Sequence, residues 1–153
     1  MITVNERYYP TDIIESIVSR HLRISVEDGI LYEQARRCVC NAFDAAEDYT
    51  NRIIVSSMSE FTFDEVEDGI ISLPTAPIQQ TKVLYLDDSG KWQEMGDRDY
   101  ELMVNSHVAK IRLLTDYGAS RYKVVGLCGF NDYSGEREAT YALPGAIEQA
   151  VCL

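Results

Sequence analysis

Apolar residues recur three or four positions apart along the first third of the chain, which is the spacing of one face of an α-helix. The pattern predicts a short helix over about 11–22 and a long helix over about 25–50, with Ser25 as the N-cap of the long helix. The apolar face of the long helix is predicted to comprise Leu31, Ala35, Cys38, Ala42, Phe43, Ala46 and Tyr49. Pro144 precedes a further apolar run and predicts a third helix over about 144–153, because proline is favoured in the first helical turn.

After Asn51 the apolar period changes from helical to alternating, which indicates a β-rich insertion over about 52–130. Strands are predicted over 52–63, 83–86, 91–95, 100–104, 110–114 and 122–127. The four residues Asp87-Asp88-Ser89-Gly90 separate two of these strands and predict a hairpin turn with glycine at a positive φ. The predicted fold class is therefore α+β, a single domain over 1–153 with a helical body and a hairpin-containing β insertion.

The charge balance excludes several classes of protein. The 153 residues carry 14 Lys and Arg against 25 Asp and Glu, a formal net charge of −11. This charge argues against a protein that binds nucleic acid phosphates, because such binding depends on clustered Lys and Arg. A surface that DNA slides past is compatible with this charge. No stretch approaches the roughly 18 apolar residues of a membrane span, and the first ten residues lack the apolar core of a secretory signal. We therefore expect synthesis in a cytosol, no membrane contact, and reduced cysteines.

Motifs for catalysis and cofactor binding are weak. Ser89-Gly90-Lys91 contains Gly-Lys but lacks the glycine and hydroxyl positions of a phosphate-binding loop. His21 and His107 lie in no motif with a nucleophile. An acidic run lacks the spacing of a calcium loop, so a solvated face is favoured over a metal site. This run consists of Asp64, Glu65, Glu67 and Asp68. We therefore expect no enzyme activity and no cofactor.

The order of several short motifs resembles the head-tail connector (adaptor) proteins of long-tailed bacteriophages. The long helix closes in Asp48-Tyr49-Thr50-Asn51-Arg52 and is followed by Leu73-Pro74-Thr75-Ala76-Pro77. Next come the hairpin from Val83 to Trp92, the strand ending in Gly129-Phe130, and Leu143-Pro144 at the start of the last helix. Each motif is weak alone, and their order and spacing make the resemblance moderately specific.

The resemblance implies a structural virion protein that forms a ring, twelve-fold in the particle, and joins the portal of the head to the tail while DNA passes through without specific binding. Its implied partners are other copies of itself, the portal protein and the next neck or tail-completion protein, with assembly in the host cytoplasm. Candidate interface residues are Asp87, Asp88, Ser89, Gly90, Trp92, Pro144 and Ile147. The acidic run Asp64, Glu65, Glu67 and Asp68 is the candidate DNA-repelling surface.

Three alternatives stay open at this point. The first is a small soluble module that binds a protein or peptide in a helical groove or at a sheet edge. The second is a hydrolase that holds a metal ion in the acidic run, which would require those carboxylates to converge. The third concerns Trp92 alone, which either packs across its hairpin or anchors an interface.

Overall fold

The protein forms two compact units, each with its own buried core. The structure is a computed structural model and describes residues 2–130 and 144–152. A β unit comprises Met1–Arg7 and Ser57–Gly129, and a helical unit comprises Tyr8–Ser56 and Phe130–Leu153. The described residues contain both helices and strands, so the predicted α+β class is confirmed. Leu143 and Leu153, which belong to the predicted third helix and its flank, lie outside the described residues.

The helical unit contains the three predicted helices. Helix α1 (Thr11–Ser16) continues into a π-helical segment (Ile17–His21), α2 spans Ile30–Thr50, and α3 spans Gly145–Cys152. A single 3-10 turn (Val26–Asp28) precedes α2, so the long helix predicted from residue 25 begins five residues later.

Local chemistry explains where this helical segment starts and stops. The Ser25 hydroxyl accepts a hydrogen bond from the Glu27 amide at 3.3 Å, and the Asp28 carboxylate accepts one from the Ser25 amide at 2.8 Å. This is the reciprocal capping box that satisfies the free amides at a helix start, so Ser25 caps the 3-10 turn, whereas the N-cap of α2 itself is Gly29. Gly29 then interrupts the helix at a φ of 52°, and Asn51 ends α2 in the left-handed region at 51°.

The buried face of α2 differs from the predicted one. Its buried residues are Tyr32, Ala35, Val39 and Phe43, which pack with residues of α1 and the π-helical segment. Leu31 and Tyr49 are 52% and 92% exposed, and Cys38 is also exposed, so the prediction is wrong for these three. Ala42 and Ala46 are partly buried beside the core. Ala35 and Phe43 belong to both the predicted and the observed face, so the prediction is confirmed for these two, and the buried stripe is displaced by part of a turn toward Tyr32 and Val39.

In its described residues the β unit is built from eight strands in two sheets. They are β1 (Ile2–Tyr8), β2 (Ser56–Phe63), β3 (Ile70–Ser72), β4 (Ile78–Leu86), β5 (Trp92–Glu94), β6 (Tyr100–Val104), β7 (Ala109–Leu113) and β8 (Tyr122–Cys128). The larger sheet has the order β1-β2-β8-β4-β5, and the smaller has the order β3-β7-β6. The predicted hairpin joins β4 to β5 and is confirmed.

Strand register explains the buried faces. Phe61, Val124 and Val83 lie side by side across three neighbouring strands of the larger sheet and are almost fully buried. Ile71 and Ile111 form the corresponding buried pair in the smaller sheet. Side chains alternate between the two faces of a strand, so Glu60 and Val125 on the other face of the larger sheet are only partly buried, while Leu127 at the far end of that face is buried.

Two strands are absent from the sequence-based prediction. Strand β1 precedes the first helix and joins the edge of the larger sheet, and β3 is only three residues long. The strand predicted from residue 52 begins instead at Ser56. Ile54 and Val55, just before that strand, donate their amides to the Glu47 carboxylate at 2.8 and 2.7 Å, which joins this segment to the end of α2.

Candidate functional site

Three loops lie together at one end of the β unit. Residues 64–69 connect β2 to β3, residues 87–91 connect β4 to β5, and residues 114–121 connect β7 to β8. Phe63, Tyr122 and Tyr85 are neighbours in register, so β2, β8 and β4 reach the same level. We call these three loops the loop end of the β unit.

The hairpin turn is organised by the carboxylate of Asp87. Its Oδ1 accepts hydrogen bonds from the Ser89 amide at 2.9 Å, the Ser89 hydroxyl at 2.6 Å and the Lys91 amide at 2.8 Å. Gln93 donates to Oδ2 at 3.0 Å. These donors, led by the Ser89 hydroxyl, lower the pKa of Asp87 from 3.8 to about 2, so the turn stays anionic at neutral pH. Gly90 closes the turn at a φ of 77°, as predicted.

The acidic run forms a second tight turn. The Ile70 amide donates to the Glu67 carbonyl at 3.0 Å, and the two residues between them, Asp68 and Gly69, have φ values of 53° and 68°. Positive φ at both central positions defines a type I′ turn, for which Asp-Gly is a preferred pair. This Asp-Gly pair is a sequence signal for a tight turn just before β3, which the prediction of a solvated acidic face overlooked.

Arg121 joins the acidic run to the hairpin. Its backbone carbonyl accepts a hydrogen bond from the Leu86 amide at 3.0 Å, at the end of β4. Its guanidinium Nε lies 2.5 Å from Oδ1 of Asp64, which is 57 residues away in sequence. Both side chains are substantially exposed, so the pair orients the loops more than it stabilises the fold. The structure thus places these two groups of predicted site residues at the same end of the larger sheet, with β8 between them.

Asp99 anchors the third loop, a role that the sequence did not reveal. Its carboxylate accepts hydrogen bonds from the Tyr117 hydroxyl at 2.5 Å and the Thr115 hydroxyl at 2.9 Å. These bonds lower the pKa of Asp99 and raise the pKa of Tyr117 to about 12. The Tyr117 ring also stacks on Tyr85, with ring centroids 4.3 Å apart. The loop is therefore held by an aromatic contact and a charged hydrogen bond.

The loop end is strongly negative, and two of its loops, 64–69 and 114–121, line a cleft of about 360 Å³. Its carboxylates are those of Asp64, Glu65, Glu67, Asp68, Asp87, Asp88 and Asp116, against the basic side chains of Lys91 and Arg121. Asp64 and Asp116 line the cleft with Val66, Leu113 and Ala119. Among residues 2–130 and 144–152, no three His, Cys, Asp or Glu side chains converge on a position for a metal ion. The charges are spread over a surface, an arrangement suited to repelling phosphate or pairing with cationic groups.

The remaining predicted interface residues lie elsewhere. Trp92 is half-buried on β5 opposite Leu86, and the Lys123 amine lies 4.5 Å from its ring centroid, so the indole packs against the sheet face. In the helical unit, the Pro144 carbonyl accepts hydrogen bonds from the amides of Ile147 and Glu148 and starts α3. Ile147 is partly buried against the helical core. An interface role for any of these residues stays a prediction.

The described part of the chain includes no helix that is both long and apolar enough to cross a membrane. No protein-family model matches the sequence. A search of curated proteins finds no match either.

Solved structures, in contrast, share this fold. A chain in the neck of an empty gene transfer agent particle, computed with C6 symmetry, has a TM-score of 0.70 and 17% identity over 99% of this chain and 82% of its own length. A chain in the virion of a native gene transfer agent particle has a TM-score of 0.65 and 14% identity, covering 97% of this chain and 93% of its own. A chain in the neck of a native particle, computed with C12 symmetry, has a TM-score of 0.60 and 13% identity over 98% and 94%. At these identities the likeness lies in the fold.

Proposed function

We propose that this chain is a structural protein of the neck of a phage-like particle and catalyses no reaction of its own. The observation that carries this proposal is the match in fold to a chain from the neck of a gene transfer agent particle, which extends over 99% of this chain. Because the match includes both units, the whole chain is comparable with a neck component. The motif order described above points independently in the same direction.

In the proposed role, copies of the chain form a ring that joins the portal of the head to the tail. A closed ring of identical subunits needs two different surfaces on each subunit, one that meets the preceding copy and one that meets the next. The helical unit and the β unit offer a helical surface and a β surface for these two roles. Twelve-fold symmetry in the particle is part of the proposal, and C12 symmetry was used for the neck of the native gene transfer agent particle.

The acidic run would face the DNA that passes through the ring. Carboxylates repel the phosphate backbone over roughly 8 Å at physiological salt, so they hinder the DNA from adhering to the wall of the channel. Asp68 lies at the tip of the tight Glu67–Ile70 turn, and both acidic residues of this turn are exposed. For the acidic run to bind a metal ion, its carboxylates would have to converge on one position, and no such convergence occurs among the described residues.

Co-expression with the portal protein encoded by the same genome tests this function. We expect the chain to co-purify with the portal and to appear by electron cryo-microscopy as a ring beneath it, with matching symmetry. Sedimentation velocity of each protein alone and of the mixture measures the same association in solution. A chain that stays separate from assembled portal under both measurements would contradict the proposal and favour a binding module with another partner.

A further inference from the structure

The large exposed aliphatic side chains of the helical unit are concentrated in one short stretch. Leu22, Val26, Ile30 and Leu31 are 46%, 69%, 78% and 52% exposed. They lie between the end of the π-helical segment and the first turn of α2. Exposed aliphatic clusters of this kind mark surfaces that become covered by a partner.

Two of these residues line a groove beside α2. Val26 and Ile30 lie on its wall with Gly29, Tyr32, Glu33, Gln34 and Arg37, and the groove has a volume of about 600 Å³. We call it the α2 groove. Arg36 and Arg37 line an adjoining groove, and Arg20 and Arg23 fall in the same stretch of sequence. Aliphatic side chains bordered by arginine are typical of the central part of a protein interface.

We propose that the hairpin turn of a neighbouring copy, residues 87–90, docks into the α2 groove. This inference rests on the proposed ring and identifies the contact that closes it. The two surfaces are complementary in charge: Asp88 at the exposed tip would meet Arg37, and Lys91 after the turn would meet Glu33. The exposed Ile30 would cover the apolar flank of the hairpin, where Leu86 and Trp92 are half-buried.

The geometry of the turn suits this role. Asp88, Ser89 and Gly90 are all exposed, and the small side chains of the last two keep the tip narrow. The hydrogen bonds of Asp87 fix the shape of the turn before any contact forms, so docking costs little conformational entropy. The groove and the turn are different surfaces, so the contact runs head to tail and is of the type that generates rings.

Charge reversal provides a specific test. In Arg37→Glu every junction between identical copies would place the introduced carboxylate against Asp88, and in Asp88→Arg every junction would place the introduced guanidinium against Arg37. Each variant alone should form rings on the portal roughly tenfold less than the native chain, because like charges replace an attractive pair at every contact. The hydrogen bonds that shape the turn join Asp87 to Ser89, Gly90 and Lys91, so Asp88→Arg leaves them in place.

The mixture of the two variants is the decisive sample. When they alternate around a ring, each junction pairs either the two introduced side chains with each other or the native Arg37 with the native Asp88. All junctions are then attractive again, since every contact joins one positive and one negative group. An equimolar mixture should therefore restore rings with an even number of subunits, counted by native mass spectrometry. A contact within one chain could not be restored by mixing.

Ile30→Ser tests the apolar part of the contact, and Tyr49→Ser is its matched control on the same helix. Both side chains are largely exposed, so both variants should keep the native unfolding temperature, and only Ile30→Ser should reduce ring formation, by roughly tenfold. If the native chain forms rings and both charge variants also do, or if the mixture stays unassembled, the docking inference is overturned while the proposed function stands. If the native chain itself never joins the portal, both are overturned.

Discussion

The replacement of Phe43 by alanine tests which face of α2 holds the helical unit together. Phe43 is fully buried in a core that includes Ile14, Ile17 and Val18. Tyr49 lies six residues further along the same helix and is 92% exposed, although the sequence predicts both aromatic residues on the apolar face. The two aromatic residues therefore form a matched pair that differs in burial.

The expected loss of stability follows from the burial of the phenyl ring. A buried aromatic side chain removes about 150–250 Å² from water, which at about 25 cal/mol/Å² corresponds to roughly 4–6 kcal/mol as an upper bound. Measured Phe→Ala replacements in protein cores cost about 3–5 kcal/mol, including the cavity left behind. We therefore expect Phe43→Ala to lower the free energy of unfolding by about 3–5 kcal/mol and Tyr49→Ala to change it by less than about 0.5 kcal/mol.

Urea unfolding followed by far-ultraviolet circular dichroism measures both variants. The free energy of unfolding falls with urea concentration by about 2 kcal/mol/M (the m value). The urea concentration at the unfolding midpoint should therefore fall by roughly 2 M for Phe43→Ala and stay near the native value for Tyr49→Ala. An unchanged m value shows that the substitution altered the stability and left the surface exposed on unfolding the same. Equal midpoints for the two variants, or a loss below about 1 kcal/mol for Phe43→Ala, would refute the assignment of the buried face.

Three further predictions concern the β unit. Gly126→Ala should destabilise the protein by about 1–3 kcal/mol in the same urea assay, because the new methyl carbon would lie 2.6 Å from Cδ1 of the buried Ile78. Asp87→Asn should be less stable than the native chain near neutral pH. The depressed pKa of Asp87 contributes stability above its ordinary value of 3.8 that is lost as the pH falls toward about 2, so acid unfolding curves of the two proteins should converge there. Glu65→Lys combined with Glu67→Lys should bind duplex DNA in fluorescence anisotropy at low salt and release it as salt rises, whereas the native chain should not bind.

Each of these predictions has a control and a result that would contradict it. Gly145→Ala places its methyl group in open space at the start of α3 and should be neutral or slightly stabilising, so an equal loss for both glycine variants would contradict the packing argument. A constant stability difference between Asp87→Asn and the native chain across the acid range would show that the carboxylate charge is irrelevant. Glu15→Lys with Asp48→Lys makes the same change in net charge on the helical unit, and equal DNA binding by both double variants would remove any special role for the acidic run.

Much of the local structure is predictable because it depends on neighbouring residues. The turn at 87–90 needs only an aspartate that accepts amide hydrogen bonds and a glycine that adopts positive φ. The capping box at Ser25 likewise depends on a carboxylate three residues away. The Asp68-Gly69 turn is equally predictable from the local sequence. The prediction nevertheless overlooks it, because the surrounding charges suggest a solvated face.

The face of α2 is not decided by its own sequence. Apolar residues occur there in adjacent pairs, Leu31 with Tyr32, Cys38 with Val39, and Ala42 with Phe43. Neighbouring residues project about 100° apart around a helix, so such pairs generate two apolar stripes with the same period. Packing against the rest of the helical unit buries the second stripe and leaves Leu31 and Cys38 exposed. The pattern determined that a helix forms, and its tertiary partners determined which side is covered.

The candidate site also depended on contacts between distant parts of the chain. The sequence identifies the hairpin turn and the acidic run as two separate features, and nothing in it indicates that they lie at the same end of a sheet. Their meeting depends on Arg121, whose backbone pairs with the end of β4 while its side chain reaches Asp64. The Asp99–Tyr117 anchor is similarly non-local. Turns and helix caps follow from short-range hydrogen bonding, whereas strand order and loop proximity follow from the burial of two sheet faces that only the folded chain brings together.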